Sequence, residues 1–238
     1  MPQPAFEPLY VQVRSALVAR LIAREWAPGE LLPGELAIAA ELGVSLGTVR
    51  KAVDSLVADG VLRRHQGKGT YVTEQTPERA NYHFFRLVDA EGKRVLPEAG
   101  SETIAVLPTG PEAAQRLGIG TQDKVVLIDR VRSIGGRPAM LETVVVPAAL
   151  MPGLETEGPL PNALYPHYQS RHGVSVISTE DRLSAAPAGP AAARALGVPQ
   201  GTALLVSDRV AYDLAGRPVE WRRSQFLSDG LSYAVTLG

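Results

Sequence analysis

The 238-residue sequence predicts an α/β protein of the α+β kind, in which a small helical head precedes a larger sheet-based domain. Three patterns carry that expectation. Apolar residues recur at every fourth position near the start of the chain. Two further helix-length segments are closed off by glycines, and the second half holds one helix–strand–glycine turn–strand pattern twice.

Across residues 8–25, Leu9, Val13, Leu17 and Leu21 make the apolar stripe of an amphipathic helix. Trp26-Ala27-Pro28-Gly29 ends it, because proline and glycine do not readily continue a helix. Pro33 opens a second helix through Leu42, and Gly43 closes it as a left-handed cap. Ser45 is a good N-cap for a third helix, with Val49, Val53 and Leu56 as its buried stripe and Gly60 as its stop. Residues 61–72 alternate around Gln66-Gly67-Lys68-Gly69 and read as a hairpin. Helix, sharp turn, helix and basic hairpin is the order of parts of a winged helix-turn-helix, which offers one helix to a DNA major groove and a loop to the flanking backbone. This head spans residues 1–73. The polar, aperiodic stretch that follows holds a proline, so residues 74–80 are expected to be a linker and 81–238 the second domain.

In that second domain PEAAQRLGI from Pro111 and PAAARALGV from Pro190 match at an offset of 79, which also superposes Asp129-Arg130-Val131 on Asp208-Arg209-Val210. One residue further out, Gly136-Arg137-Pro138 matches Gly216-Arg217-Pro218. Two copies at so long a spacing do not make a solenoid. They predict two similar helix-plus-hairpin units in one sheet domain, with a helix at 164–172 and a strand at 174–185 between them.

Composition excludes several classes. With 45% hydrophobic and 21% charged residues the chain is ordinary for a globular protein. No apolar run reaches membrane-spanning length and the first residues lack the pattern of a secretory signal, so a cytoplasmic protein with no membrane partner is expected. There is no cysteine, which removes disulfides, thiol nucleophiles and thiolate zinc sites. The four histidines are scattered. His167 and His172 stand five apart, off the spacing that puts two ligands on one α-helical face, so no metal site is expected. No nucleophile–base spacing or cofactor motif is present, and neither an enzyme nor a cofactor is expected.

The net charge is −1, yet Arg50, Lys51, Arg63, Arg64 and Lys68 face only Asp54 and Asp59 between Val44 and Val72. Local charge is what meets phosphate. Leu46, Gly47, Arg50, Lys51 and Asp54 fall away from the third helix's apolar stripe. Arginine suits a two-bond grip on guanine, while the plainer reading of Arg50 is an ion pair with Asp54 four residues on. Thr48 sits in the first turn, where a hydroxyl and backbone N–H groups can meet phosphate, and Gly47 leaves the approach open. In the hairpin tip Lys68 lies between two glycines, suited to a phosphate or simply to a surface turn.

Pro8-Leu9-Tyr10, Pro28-Gly29, Leu32-Pro33, Leu42-Gly43-Val44-Ser45, Thr48-Val49-Arg50, Gly60 and Gln66-Gly67-Lys68-Gly69-Thr70 together resemble the DNA-binding domain of the GntR family of bacterial transcription regulators. Residues 81–238 are similar to the UTRA effector domain of its HutC branch, through Asp129-Arg130-Val131-Arg132, Gly136-Arg137-Pro138, Glu142, Leu164-Tyr165, Ala195-Leu196-Gly197-Val198 and Gly216-Arg217-Pro218-Val219-Glu220. The resemblance implies a chorismate-lyase-like fold for the second domain and a homodimeric repressor on an inverted-repeat operator of double-stranded DNA. A small metabolite would set its DNA affinity. It implies a DNA-contacting set of Glu35, Ser45, Gly47, Thr48, Arg50, Lys51, Gly67, Lys68, Gly69 and Thr70. Leu36 and Leu46 stand where many relatives have arginine, and Ala163 where they often have serine.

For the effector, the resemblance implies contacts from Arg130, Arg132, Glu142, Tyr165 and Glu220. Arg130 and Arg132 are two apart on one strand and share a face. Two guanidiniums there would repel unless an anion sat between them, which points to a carboxylate or phosphate ligand. The alternative is that they brace the fold through carboxylates of the chain. Glu142 has its own condition: a two-residue Gly135-Gly136 turn puts it on the face opposite Arg130, and one more residue in the loop brings them together.

Overall fold

A computed structural model describes residues 7–235, apart from the side chains of Asn81, Tyr82 and His83. The predicted domain ends at residues 1 and 238 lie outside these. The chain divides into two compact units between Gln75 and Thr76. No helix among the described residues is long and apolar enough to cross a membrane.

The first unit packs α1 (Leu9–Ile22), α2 (Glu35–Leu42) and α3 (Leu46–Ala58) around Val13, Leu17, Leu21, Ile38, Val49, Val53 and Leu56. Gly43 caps α2 at φ +64°, as its position predicts. Ser45 caps α3, its Oγ accepting the Thr48 N–H at 3.1 Å. β1 (Leu62–His65) and β2 (Gly69–Val72) form the hairpin. The sequence gives no sign of one partner: residues 29–32 run along β2, with Leu32 N–H donating to Thr70 C=O and Val72 N–H to Glu30 C=O.

The second unit opens with α4 (Pro77–Phe84), which begins inside the stretch expected to be a linker. Proline fits a first helical turn, where no N–H is needed, and Thr76 Oγ1 accepts the Arg79 N–H. The remaining elements are β3 (Leu87–Val88), β4 (Glu98–Pro108), α5 (Gly110–Leu117), β5 (Lys124–Ile134), β6 (Arg137–Pro147), α6 (Leu164–His167), β7 (Val176–Pro187), α7 (Pro190–Leu196), β8 (Ala203–Asp213), β9 (Pro218–Leu227) and β10 (Ser232–Tyr233). Six strands form one antiparallel sheet in the order β4-β5-β6-β9-β8-β7. That order is symmetric about the β6–β9 seam, and each half is a strand, a helix and a hairpin. The repeat legible in the sequence is therefore one strand longer than expected at its N-terminal side.

One sheet face is covered by α5 and α7, whose Ala113, Leu117, Ala192 and Leu196 pack on Val125, Val145, Leu204, Val210 and Trp221. The other face presents Val126, Ile128, Val144 and Val146 to Met151, Leu154, Leu164, Tyr165 and Tyr168. Beyond this apolar end, the same face turns polar.

Candidate functional site

In the first unit Ser45, Leu46, Gly47, Arg50, Lys51 and Asp54 are all exposed along α3, opposite its buried stripe. Arg50 Nε donates to Glu35 Oε2 at 3.2 Å, not to Asp54. Asp54 is taken by Arg64, which also pairs with Glu35. Since the Arg50 side chain is 59% exposed, that single long bond holds it weakly and leaves its other donors free to turn outward. Lys51 lies with Nζ 4.0 Å from the Tyr10 ring centroid, a cation–π contact back to α1. The Thr48 N–H is spent on the Ser45 cap, leaving its hydroxyl, which shares a 2.8 Å hydrogen bond with Ser45 Oγ. At the hairpin tip Lys68 N–H donates to His65 C=O, with Gly67 at φ +71° in the third position of the turn, where a type II turn needs positive φ. Gly69 sits at φ +108°, and a Cβ there would stand 2.7 Å from Leu31 Cδ1. Positive φ thus favours glycine at both positions, and Thr70 enters β2. Leu36 and Leu46 are exposed at the starts of α2 and α3.

In the second unit the β5–β6 turn is the two-residue Gly135-Gly136, both at positive φ. By the sequence argument this sends Glu142 to the face opposite Arg130. The strands nevertheless pair Arg130 with Glu142, because the register slips between Arg132–Met140 and Ser133–Pro138 and leaves Ala139 as a bulge. The extra residue sits in the strand rather than the loop. β9 carries the same slip at Val219, between Ala211–Glu220 and Tyr212–Pro218. The pairing keeps the offset of 80 between the hairpins: Arg222 lies opposite Arg209 as Glu142 lies opposite Arg130, so Arg222 is the counterpart of Glu142 and Glu220 that of Met140.

Arg130, Arg132, Glu142, Glu220, Arg222 and Ser224 thus share one face and are all buried. Glu220 is saturated: Tyr165 OH (3.0 Å) and Tyr168 OH (2.9 Å) donate to it, and Arg222 grips both carboxylate oxygens at 2.9 and 2.8 Å. Arg130 is braced by Glu102 Oε2 at 2.5 Å and the Pro161 carbonyl at 3.2 Å. The two guanidiniums on β5 therefore need no foreign anion between them, since Glu102 answers one and Glu142 stands by the other. That removes the repulsion argument for an anionic ligand.

Arg132 and Glu142 differ from their neighbours. Arg132 Nη2 donates to Pro97 C=O (2.8 Å) and Asn162 Oδ1 (2.7 Å), and its plane lies 4.8 Å over the Phe85 ring. Its Nε and Nη1 make no hydrogen bond, and Nη1 stays 3.7 Å from Glu142 Oε1. Glu142 Oε1 accepts from Arg222 Nη1 at 3.1 Å, while Oε2 has no partner. Burial pushes the Glu142 carboxyl up, but the Arg222 and Arg132 guanidiniums outweigh it and hold it below the usual carboxylate range. Burial pushes Arg132 down, and Glu142 restores only part of that. Burial raises both tyrosine hydroxyls, so they stay protonated as donors to Glu220. Beside this pair is a small cavity of about 40 Å³ lined by Glu142, Ser207, Arg209, Arg222 and Ser224 under Phe84 and Phe85. It has room for a few waters and not for a metabolite. Sequence reasoning missed Arg222, Ser224 and Asn162; the offset of 80 that aligns the hairpins was the available signal for Arg222.

His167 and His172 also come together. Residues Tyr168–His172 form a π-helical turn, so side chains five apart meet, with ring centroids 5.9 Å apart beside Glu157. The spacing argument against a metal site assumed α-helical periodicity, and this turn does not have it.

Comparison with known proteins places both units. The model for "Bacterial regulatory proteins, gntR family" matches residues 9–72, and that for "UTRA domain" matches 97–231. The mannosyl-D-glycerate transport/metabolism system repressor MngR of Escherichia coli is 31% identical over 235 residues, covering 96% of this chain and 95% of its own length. The HTH-type transcriptional regulator SmoD of Agrobacterium fabrum is 32% identical over 74% of this chain and 73% of its own. Among solved structures, the ligand-binding domain of a GntR-family regulator from Bordetella bronchiseptica is 31% identical, with a TM-score of 0.60 over 66% of this chain and 99% of that one.

Proposed function

The chain belongs to the gntR family of bacterial regulatory proteins, with a UTRA ligand-binding domain, a family of transcription regulators and not of enzymes; on that premise we propose that it is a cytoplasmic, homodimeric repressor released from an inverted-repeat operator by a small hydroxylated anion. Arg50 reads base edges from α3, with Glu35, Ser45, Gly47, Thr48 and Lys51 around it, and Gly67-Lys68-Gly69-Thr70 meets the backbone from the hairpin. The metabolite sits over Arg132 and Glu142, while Arg130, Glu220 and Tyr165 hold those two in place.

The observation that carries the effector reading is the unspent hydrogen-bonding capacity of Arg132 and Glu142. Buried polar groups are nearly always satisfied, and exceptions call for a reason. Two unpaired guanidinium nitrogens select an acceptor, best a carboxylate or phosphate. A free carboxylate oxygen within the same site selects a hydroxyl or amine. A ligand bearing both satisfies both, and a mannosyl-D-glycerate, named for the Escherichia coli relative's system, is of that class. Since the cavity holds only a few waters, a metabolite must widen it to enter, which gives binding a conformational readout. By linkage, whatever the ligand does to operator affinity, the operator does to ligand affinity.

The test is selection of fragmented genomic DNA on the purified protein, followed by elution with hydroxy acids and sugar phosphates. One enriched inverted repeat, released by an anion, is expected. Absence of any enriched sequence would overturn the operator reading. Release by neutral sugars alone would overturn the anionic one.

A further inference from the structure

We propose that Glu157, His167 and His172 form a binding site for a divalent transition-metal cation of the zinc type. Three ligand atoms converge there: Glu157 Oε2 lies 2.6 Å from His167 Nε2, Glu157 Oε1 lies 3.3 Å from His172 Nε2, and all fall within 4.8 Å of one another. Zinc bonds of 2.0–2.2 Å in a tetrahedron set neighbouring ligand atoms about 3.4 Å apart. Small rotations of two imidazoles would bring the cluster to that spacing.

Two neutral imidazoles and one carboxylate are borderline donors, which favour zinc, cobalt or nickel over magnesium or calcium. Three protein ligands leave a fourth position for water or another small ligand.

The plainer account is that Glu157 is only an acceptor for two histidines. It fits His167 well. It does not fit His172, whose side chain is 4% exposed and whose Nε2, aimed into the cluster, makes no directed hydrogen bond. The other cation nearby, Arg171, stands 3.9 Å from Glu157 Oε2 and is 64% exposed, free to swing away when a metal enters.

The π-helical turn is what creates the site. It carries Tyr168, whose hydroxyl donates to Glu220. A cation spanning His167 and His172 would tie the two ends of that turn together and fix the tyrosine between them.

The test uses tag-free, full-length protein dialysed against chelator and titrated with cobalt(II), read by visible absorption, and with zinc(II), read by calorimetry and by the thermal midpoint. Expected are one cation per chain, the intense visible bands of four-coordinate cobalt and a higher midpoint with zinc. His172→Ala and His167→Gln should each weaken binding more than about tenfold, since even outer-shell partners of a metal cost that much. His65→Ala should bind as the parent does. Should His172→Ala fail to fold, His167→Gln, at a partly exposed side chain, decides alone. No saturable binding by the parent, or binding that His167→Gln leaves unchanged, overturns the proposal.

Discussion

Replacing Arg222 with methionine tests the claim that the polar half of the sheet face is held together by one guanidinium. Arg222 makes three hydrogen bonds of 2.8–3.1 Å, two to Glu220 and one to Glu142, and both carboxylates are buried. Removing one partner of a buried ion pair costs roughly 3–5 kcal/mol, because the other charge is left uncompensated. Glu220 keeps its two tyrosine donors and Glu142 keeps Arg132 at 3.7 Å, so the loss should fall within that range rather than twice it. For a unit of this size each kcal/mol moves the midpoint by about 2–4 °C. A fall of about 6–20 °C in the second unit's transition is therefore expected by calorimetry. Adding Glu220→Gln should recover part of it, since the double variant buries one charge fewer. A loss below about 1 kcal/mol, or a double variant as costly as the two singles summed, would refute the picture of Arg222 as the shared counter-ion.

Arg50→Ala should leave the thermal midpoint nearly unchanged and cost about 1–3 kcal/mol of discrimination between operator and scrambled DNA, measured by competition binding; unaltered discrimination would remove its base-reading role. Lys68→Ala should weaken all sequences about equally and reduce the slope of log affinity against log salt by roughly one, and a changed sequence preference would contradict a backbone contact. Arg132→Ala should abolish effector response while sparing DNA binding, and a protein that fails to fold would assign Arg132 to bracing. Glu142, held below the usual carboxylate range by Arg222 and Arg132, binds fewer protons folded than unfolded. Stability should therefore be full above the ordinary carboxylate value and fall as pH drops through the depressed one. Acid titrations of unfolding should show a shallower decline for Glu142→Gln, and equal slopes would deny the shift.

The helices of the first unit were readable because each carries its own punctuation. Gly43, Ser45 and the stripe of Val49, Val53 and Leu56 state their roles within a few residues. The strand β4 was not, since it is an edge strand whose residues are mostly exposed and show no alternation. Partnership over distance was least legible. Arg50 has Asp54 one turn away, yet it bonds Glu35, because Arg64 from β1 occupies the aspartate. The face of Glu142 turned on a bulge at Ala139, which no local propensity announces. The histidine pair was misjudged for the same kind of reason: the spacing was read correctly, but the helix that holds it is wound differently.

The six-stranded sheet has a near-palindromic order about β6 and β9, and its two hairpins bulge at equivalent places. In outline a ligand lying across that seam meets almost the same cradle after a half turn. The chemistry breaks the tie. Where one half offers Arg132 beside Met140, the other offers Ala211 beside Glu220, already engaged by two tyrosines. The duplicated scaffold therefore repeats the shape of the cradle but not its side chains, so the two ends of the ligand proposed above would meet different partners.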